Sequence, residues 1–242
     1  TRPEFGIALL EFTEAVVGLI LTAILISYLP TMYSAFSRRE SSVTLLEVRA
    51  GSPPSAVEML TRAYRIRGLD VLIGLWEEWE AWFAEIEESH TSLPALVFFR
   101  SVKAERSWVT ASGAVLDAAA LYASTLDMPR NAQAELCIRA GYLALRYIAD
   151  FFNIPYPVNV QRGDPISITR EEFDEAYTQL QAAGLPMKPD RDTCWLDYAG
   201  WRVNYDVVLL SLAELTMAPY APWSSDRGLT SMRGSLSHIK NA

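Results

Sequence analysis

Cysteine and histidine are nearly missing from this 242-residue chain, which has two of each: Cys137, Cys194, His90 and His238. The two cysteines form no metal-ligand spacing and suit a reducing compartment. A Gly-rich phosphate loop, a G-x-S-x-G elbow and an H-E-x-x-H pair are all absent, and no nucleophile has a base set beside it. The acidic residues fall at the spacing of helix faces and do not pair as acid and base. An enzyme is therefore not expected, and neither is a cofactor or a metal. Basic excess is lacking as well: the net charge is −8, which argues against nucleic acid as a partner. Alternating strand patterns and internal repeats are also absent, so the expected fold class is all-α.

Charge itself disappears over one stretch. Ala15 to Ser37, AVVGLILTAILISYLPTMYSAFS, is 23 residues without one charge, and Arg38-Arg39-Glu40 follows. As a helix it is ~35 Å long, enough for a hydrocarbon core of about 30 Å. A cleaved signal peptide has a basic flank before a short apolar run; here Glu4, Glu11 and Glu14 come before it and the arginines after. A buried core helix is usually shorter and has a polar face. A spanning helix is expected, with Arg38 and Arg39 at the membrane interface. Their position predicts a cytoplasmic carboxy side and places the protein in the cell membrane, against lipid. Of the net charge, −2 lies before Arg38 and −6 after Ser37, so the remainder is acidic and has no broad attraction to anionic lipid.

At ~100° per residue, Glu11, Glu14, Gly18, Thr22, Leu25 and Leu29 share one stripe. Ionisable groups at membrane depth normally face protein or a water-filled path. Gly18 permits a bend or a close helix contact, and Pro30 removes a backbone hydrogen bond near the inner end. The alternative is that both glutamates lie in the outer headgroup layer, with Gly18 as packing.

The run EFTEAVVGLILTAILISYLPTMYSAFSRRE, followed by VTLLEVRAGSPPSAVEMLTR, resembles a family of bacterial potassium-channel-like membrane proteins. EESHTSLPALVFFRS and SWVTASGAVLDAAAL fit the same family's cytoplasmic part, so the resemblance covers about Glu11 to Leu121. Its most specific pieces are Phe36-Ser37-Arg38-Arg39-Glu40, Arg49-Ala50-Gly51-Ser52-Pro53-Pro54 and Glu88-Ser89-His90. The resemblance implies an ion-channel subunit whose inner helix lines a pore for potassium or another monovalent cation. In that picture Glu11, Glu14, Gly18 and Thr22 line the path, and Leu25 and Leu29 narrow it. Gly18 or Pro30 is then the hinge. A homo-oligomer is implied, a tetramer with one pore loop per chain or a dimer with two. Family members carry a T-x-G-[YF]-G-D-like filter before this helix, and this sequence has none. The expectation is a fragment beginning just after the pore loop. The alternative is a membrane-tethered helical interaction or sensor domain without transport.

Beyond the inner helix (1–39), a connector (40–53), an all-α bundle-like cytoplasmic domain (54–217) and a disordered tail (218–242) are expected. Gly51-Ser52-Pro53-Pro54 breaks the chain, and a helix runs from Pro54 to about Arg67. From Leu69 to Ser89, the stripe Leu72, Trp76, Trp79, Phe83, Ile86 faces a core, with Glu77, Glu78, Glu85, Glu87 and Glu88 opposite. His90 closes that helix as a cap; ligating a cation or sensing pH is the lesser reading. Ser107 to Leu126 has only Asp117 as a charge and reads as a buried helix, with a second span as the rival. Arg139 or Arg146 on the following helix (130–153) is the expected partner of Asp117. Thr169-Arg170-Glu171-Glu172 forms a capping box. Asp192 is expected to cap one long last helix to about Met217.

Overall fold

The computed structural model describes residues 3–66 and 68–228, with side chains from Phe5 onward. Every element in it is helical apart from a single isolated bridge, Leu126 with Met187. The fold is all-α: one long apolar helix, then a helical domain. The chain divides into two units, Thr1–Arg38 and Arg39–Ala242.

The helix α1 spans Pro3–Ala50 and is continuous through Gly18 and Pro30. The region expected as a connector is therefore helical as far as Ala50. Val43, Leu46 and Ala50 are buried at i, i+3, i+7 spacing in the core of the second unit. That short stripe is set among serines, threonines and glutamates, which is why it is faint in the sequence. Gly51 ends the helix in the left-handed region (φ +83°), with its N–H donating to the Glu47 carbonyl at 3.0 Å.

The second unit continues with α2 (Ala56–Ile66) and α3 (Val71–Ser92); Arg67, the expected end of α2, lies outside the described residues. A 3₁₀ turn (Pro94–Phe98) leads to α4 (Trp108–Thr125) and α5 (Ala132–Phe151). Then come α6 (Arg170–Ala182), α7 (Arg191–Arg202) and α8 (Asp206–Leu215). The aromatic stripe of α3 is buried as its period requires, with the glutamates of the other face exposed or half-buried. The α4 helix is the centre: α2, α5, α7 and α8 all pack on it, and only Ala123 of its residues is not fully buried. It is a buried helix of the domain, not a second span. Small side chains make this possible. At Gly141 on α5, an added Cβ would come within 2.5 Å of Leu116 and 2.8 Å of Phe83. The hydroxyls of α4 turn inward, Ser112 Oγ donating to the Trp108 carbonyl at 2.8 Å and Thr125 Oγ1 to that of Leu121 at 2.6 Å.

The caps show how the ends are set. Asn131 accepts from Gln133 N–H and Ala134 N–H to start α5. The Thr169–Glu172 capping box forms in both directions. Lys188 donates from Nζ to the Ala123 and Ser124 carbonyls at 3.0 and 3.1 Å, closing the C-terminal end of α4.

Two expectations need correction here. The last helix is two helices, capped by Asp190 and not by Asp192, with a turn at 203–205 between α7 and α8. The turn accompanies a buried bond from Arg202 Nε to Asp206 Oδ1 at 2.6 Å. The segment 218–228 is packed and not disordered. Ala221 and Ser224 are buried, the Trp223 carbonyl accepts from Arg202, and Arg227 bonds the Ser167 carbonyl and Glu172. The remainder of the expected tail, with His238, lies outside the described residues.

Candidate functional site

In α1 every residue from Phe5 to Thr31 is exposed, and the helix is long and apolar enough to cross a membrane. Because the helix is unbroken, Glu11, Glu14, Gly18, Thr22, Leu25 and Leu29 do share one face. The hydroxyls of Thr13, Thr22, Ser27 and Thr31 in α1, of which only Thr22 lies on that face, are satisfied within the helix. Thr13 donates to the Leu9 carbonyl at 2.8 Å, Thr22 to Gly18 at 2.8 Å, Ser27 to Ile24 at 3.0 Å and Thr31 to Ser27 at 3.2 Å. This internal satisfaction lets polar residues sit in hydrocarbon at low cost. Around Gly18 no atom lies within 4 Å of where a Cβ would stand, so nothing in its own chain requires a glycine there. Pro30 leaves the Ile26 carbonyl without its usual i+4 donor, yet the helix passes through.

The two arginines expected at the membrane interface separate. Arg38 is exposed and donates to Ser34 Oγ at 2.8 Å. Arg39 is only 3% exposed and is built into the second unit. Its guanidinium donates to the Leu96 carbonyl (2.8 Å), the Phe99 carbonyl (2.6 Å) and Glu40 (3.0 Å), and it lies 3.2 Å from His90 Nε2. Burial lowers its pKa, with the Glu40 carboxylate pulling the other way. A headgroup role for Arg39 is thus replaced by a structural one: it ties the start of the domain to the 3₁₀ turn.

His90 belongs to the same node. It is buried against Trp108, ring centroids 4.9 Å apart, with Nδ1 3.1 Å from Ser89 Oγ. Burial and the neighbouring Arg39 push its pKa down to about 3. The ring is neutral at physiological pH, so it neither caps α3 as a cation nor senses pH there. Among the described residues, no three His, Cys, Asp or Glu side chains gather as a metal site.

The most polar buried cluster of the domain surrounds Asp117, whose partner is Arg202 and not Arg139 or Arg146. Arg202 NH1 lies 2.7 Å from both Asp117 oxygens, and both side chains are 0–1% exposed. Tyr205 and Tyr198 donate hydroxyls to Asp117 at 2.8 and 3.3 Å. Asp206 joins through Arg202 and accepts from Ser167 N–H and Oγ at 2.7 and 2.6 Å. Burial works against charge on Arg202, but Asp117 and Asp206 outweigh it and hold the guanidinium well above its ordinary range. The expected partners point elsewhere because of helical phase. Arg139 is exposed, and Arg146 donates to the Asn204 carbonyl while its guanidinium sits over Tyr142 and Tyr156. Sequence reasoning missed Arg202 and Asp206, although a lone carboxylate in an alanine-rich helix requires a buried cation and the pair has i, i+4 spacing.

A cleft of 340 Å³ opens beside this cluster, lined by Ala114, Asp117, Glu172, Glu175, Tyr220 and Trp223 among others. Its carboxylates Asp117 and Glu172 are engaged by Arg202 and Arg227, so their charge serves packing. Cys137 and Cys194 are both buried, and desolvation raises each thiol's pKa. Comparison with protein-family models, curated proteins and solved structures finds no match to this chain.

Proposed function

We propose that the chain is a subunit of a potassium-channel-like ion channel and not an enzyme. In this reading α1 crosses the cell membrane and lines a pore in a homo-oligomer, a tetramer or a dimer. The helical domain lies in the cytoplasm and serves assembly or gating. The observation that carries the reading is the surface of α1: large apolar side chains exposed all round, with one stripe holding Glu11, Glu14, Gly18 and Thr22. Such a stripe is coherent if it faces a water-filled path between copies, while the other faces meet lipid and neighbouring helices. Open space around Gly18 supports it as the point of close approach or flexing, and Leu25 and Leu29 follow on the same face toward Arg38.

Potassium flux into liposomes, using protein from the complete reading frame, tests this. Flux that is altered by Gly18→Val and by Thr22→Leu supports a pore-lining α1. Absence of flux would make α1 a tether for a helical interaction domain.

A further inference from the structure

One face of α5, from Ala134 to Ala149, is buried against α3, α4 and α8. A helix at the surface of a domain normally turns a charged face outward. The outer face of α5 is apolar instead. Leu136 is 46% exposed, Leu143 45%, Tyr147 56% and Phe151 47%, at i, i+7, i+11 and i+15. At ~100° per residue these four fall within about 80° of one another, a single stripe along the helix. The only charges among the exposed residues of α5 are Arg139 and Asp150. Eleven residues is close to three turns, so both lie on one edge of the stripe. Asp150 accepts from the Tyr156 hydroxyl at 3.1 Å. On the other edge lie Phe151 and the half-buried Ala140.

We propose that this face pairs with the same face of a second copy, the two α5 helices running antiparallel about a two-fold axis level with Leu145. A second copy is the occupant because the stripe is complementary to itself in one register. That register sets Arg139 opposite the partner's Asp150, Leu143 opposite the partner's Tyr147 and Ala140 opposite the partner's Phe151. Rotation about the axis keeps each edge of the stripe on its own side, so charge meets opposite charge on one edge and small meets large on the other. A parallel pair sets Arg139 beside Arg139 and Asp150 beside Asp150, which is repulsive. The antiparallel pair would bury about 1,000 Å² over both copies, the size at which a specific interface begins. The inference rests on the assembly role proposed for the helical domain and uses surfaces of that domain alone. A two-fold contact of this kind builds a dimer, or a tetramer from two dimers.

Cross-linking of the full chain in liposomes with a short bismaleimide tests this, because Cys137 and Cys194 are buried and an engineered surface cysteine reacts alone. In the proposed pair the two Leu143 residues are offset by ~6 Å along the helices and the two Leu136 residues by ~27 Å. A covalent dimer is therefore expected with L143C and not with L136C. Adding R139D or D150R to L143C places like charges opposite each other and should lower the dimer yield at least about tenfold. Co-expressing those two variants should restore it, since one copy then presents two acids and the other two bases. Restoration also shows that both variants fold. Equal cross-linking at L136C and L143C, or no restoration in the mixed pair, overturns the interface. No dimer with L143C in liposomes that carry potassium flux overturns the interface and leaves the channel reading standing. Dimer with L143C and its charge dependence, without flux, supports the interface and removes the channel.

Discussion

From Ala15 to Ser37 α1 carries no charge, and from Trp108 to Thr125 α4 carries only Asp117. By charge alone both qualify for a membrane, yet α1 is exposed from Phe5 to Thr31 and α4 is buried on all sides. The difference lies in side-chain size. The run in α1 is rich in leucine and isoleucine, which leave a broad apolar surface exposed. In α4, six alanines, a glycine and several hydroxyl residues let four other helices approach closely. Its single charge is neutralised by Arg202 and two tyrosine hydroxyls, partners that exist only inside a protein core.

The largest effect that sharpens this contrast is removal of one side of the buried pair. Asp117→Ala leaves Asp206 as the only carboxylate on Arg202 and is expected to cost about 3–5 kcal/mol, read as a fall in the domain's thermal midpoint. In α1 the matching change adds a charge. Ile26→Arg at the centre of the run is expected to disfavour insertion by about 2.5–3.5 kcal/mol, measured as the fraction integrated into membranes. One substitution can be made in both helices. Ala119→Leu overpacks α4 and should cost about 1–3 kcal/mol, whereas Ala23→Leu, exposed in α1, should stay within about 0.5 kcal/mol. Equal costs would break the distinction.

The remaining effect is pH-dependent and comes from His90. Its pKa is depressed from 6.5 to about 3 in the folded state. Its contribution is therefore complete above 6.5 and is lost as pH falls, because the unfolded chain takes up a proton that the folded one refuses. The expected slope is up to about 1.4 kcal/mol per pH unit below that value. Denaturation curves of His90→Gln, which carries no titrating ring, should show this slope reduced by that amount. An unchanged slope would assign the pH dependence to other groups.

Much of this architecture is legible in the sequence. The charge-free run, the aromatic stripe of α3 and the Thr169–Glu172 box each combine a period or a spacing with a fixed chemistry, so they need no tertiary information. The misreadings fall where tertiary contacts decide. Arg39 looks like half of a basic pair at a membrane edge, but a carbonyl trap made by Leu96 and Phe99, nearly sixty residues away, draws it inside. Asp117 plainly needed a cation, yet which arginine faced it depended on how α7 packs on α4. The 218–228 segment is rich in proline and serine, and it is held by Arg202 and by the Arg227–Glu172 pair, contacts with no local signature. For the α1 stripe the sequence supplies the phase, and the continuous helix keeps it in register.

The central claim is that α1 crosses the bilayer once and α4 does not enter it. Labelling of intact cells with a membrane-impermeant maleimide tests it directly, with single cysteines at Phe5 and at Val158, both exposed, in the complete protein. The account predicts F5C labelled in intact cells and V158C labelled only after the membrane is opened. Labelling of both positions before lysis, or of neither, would contradict it.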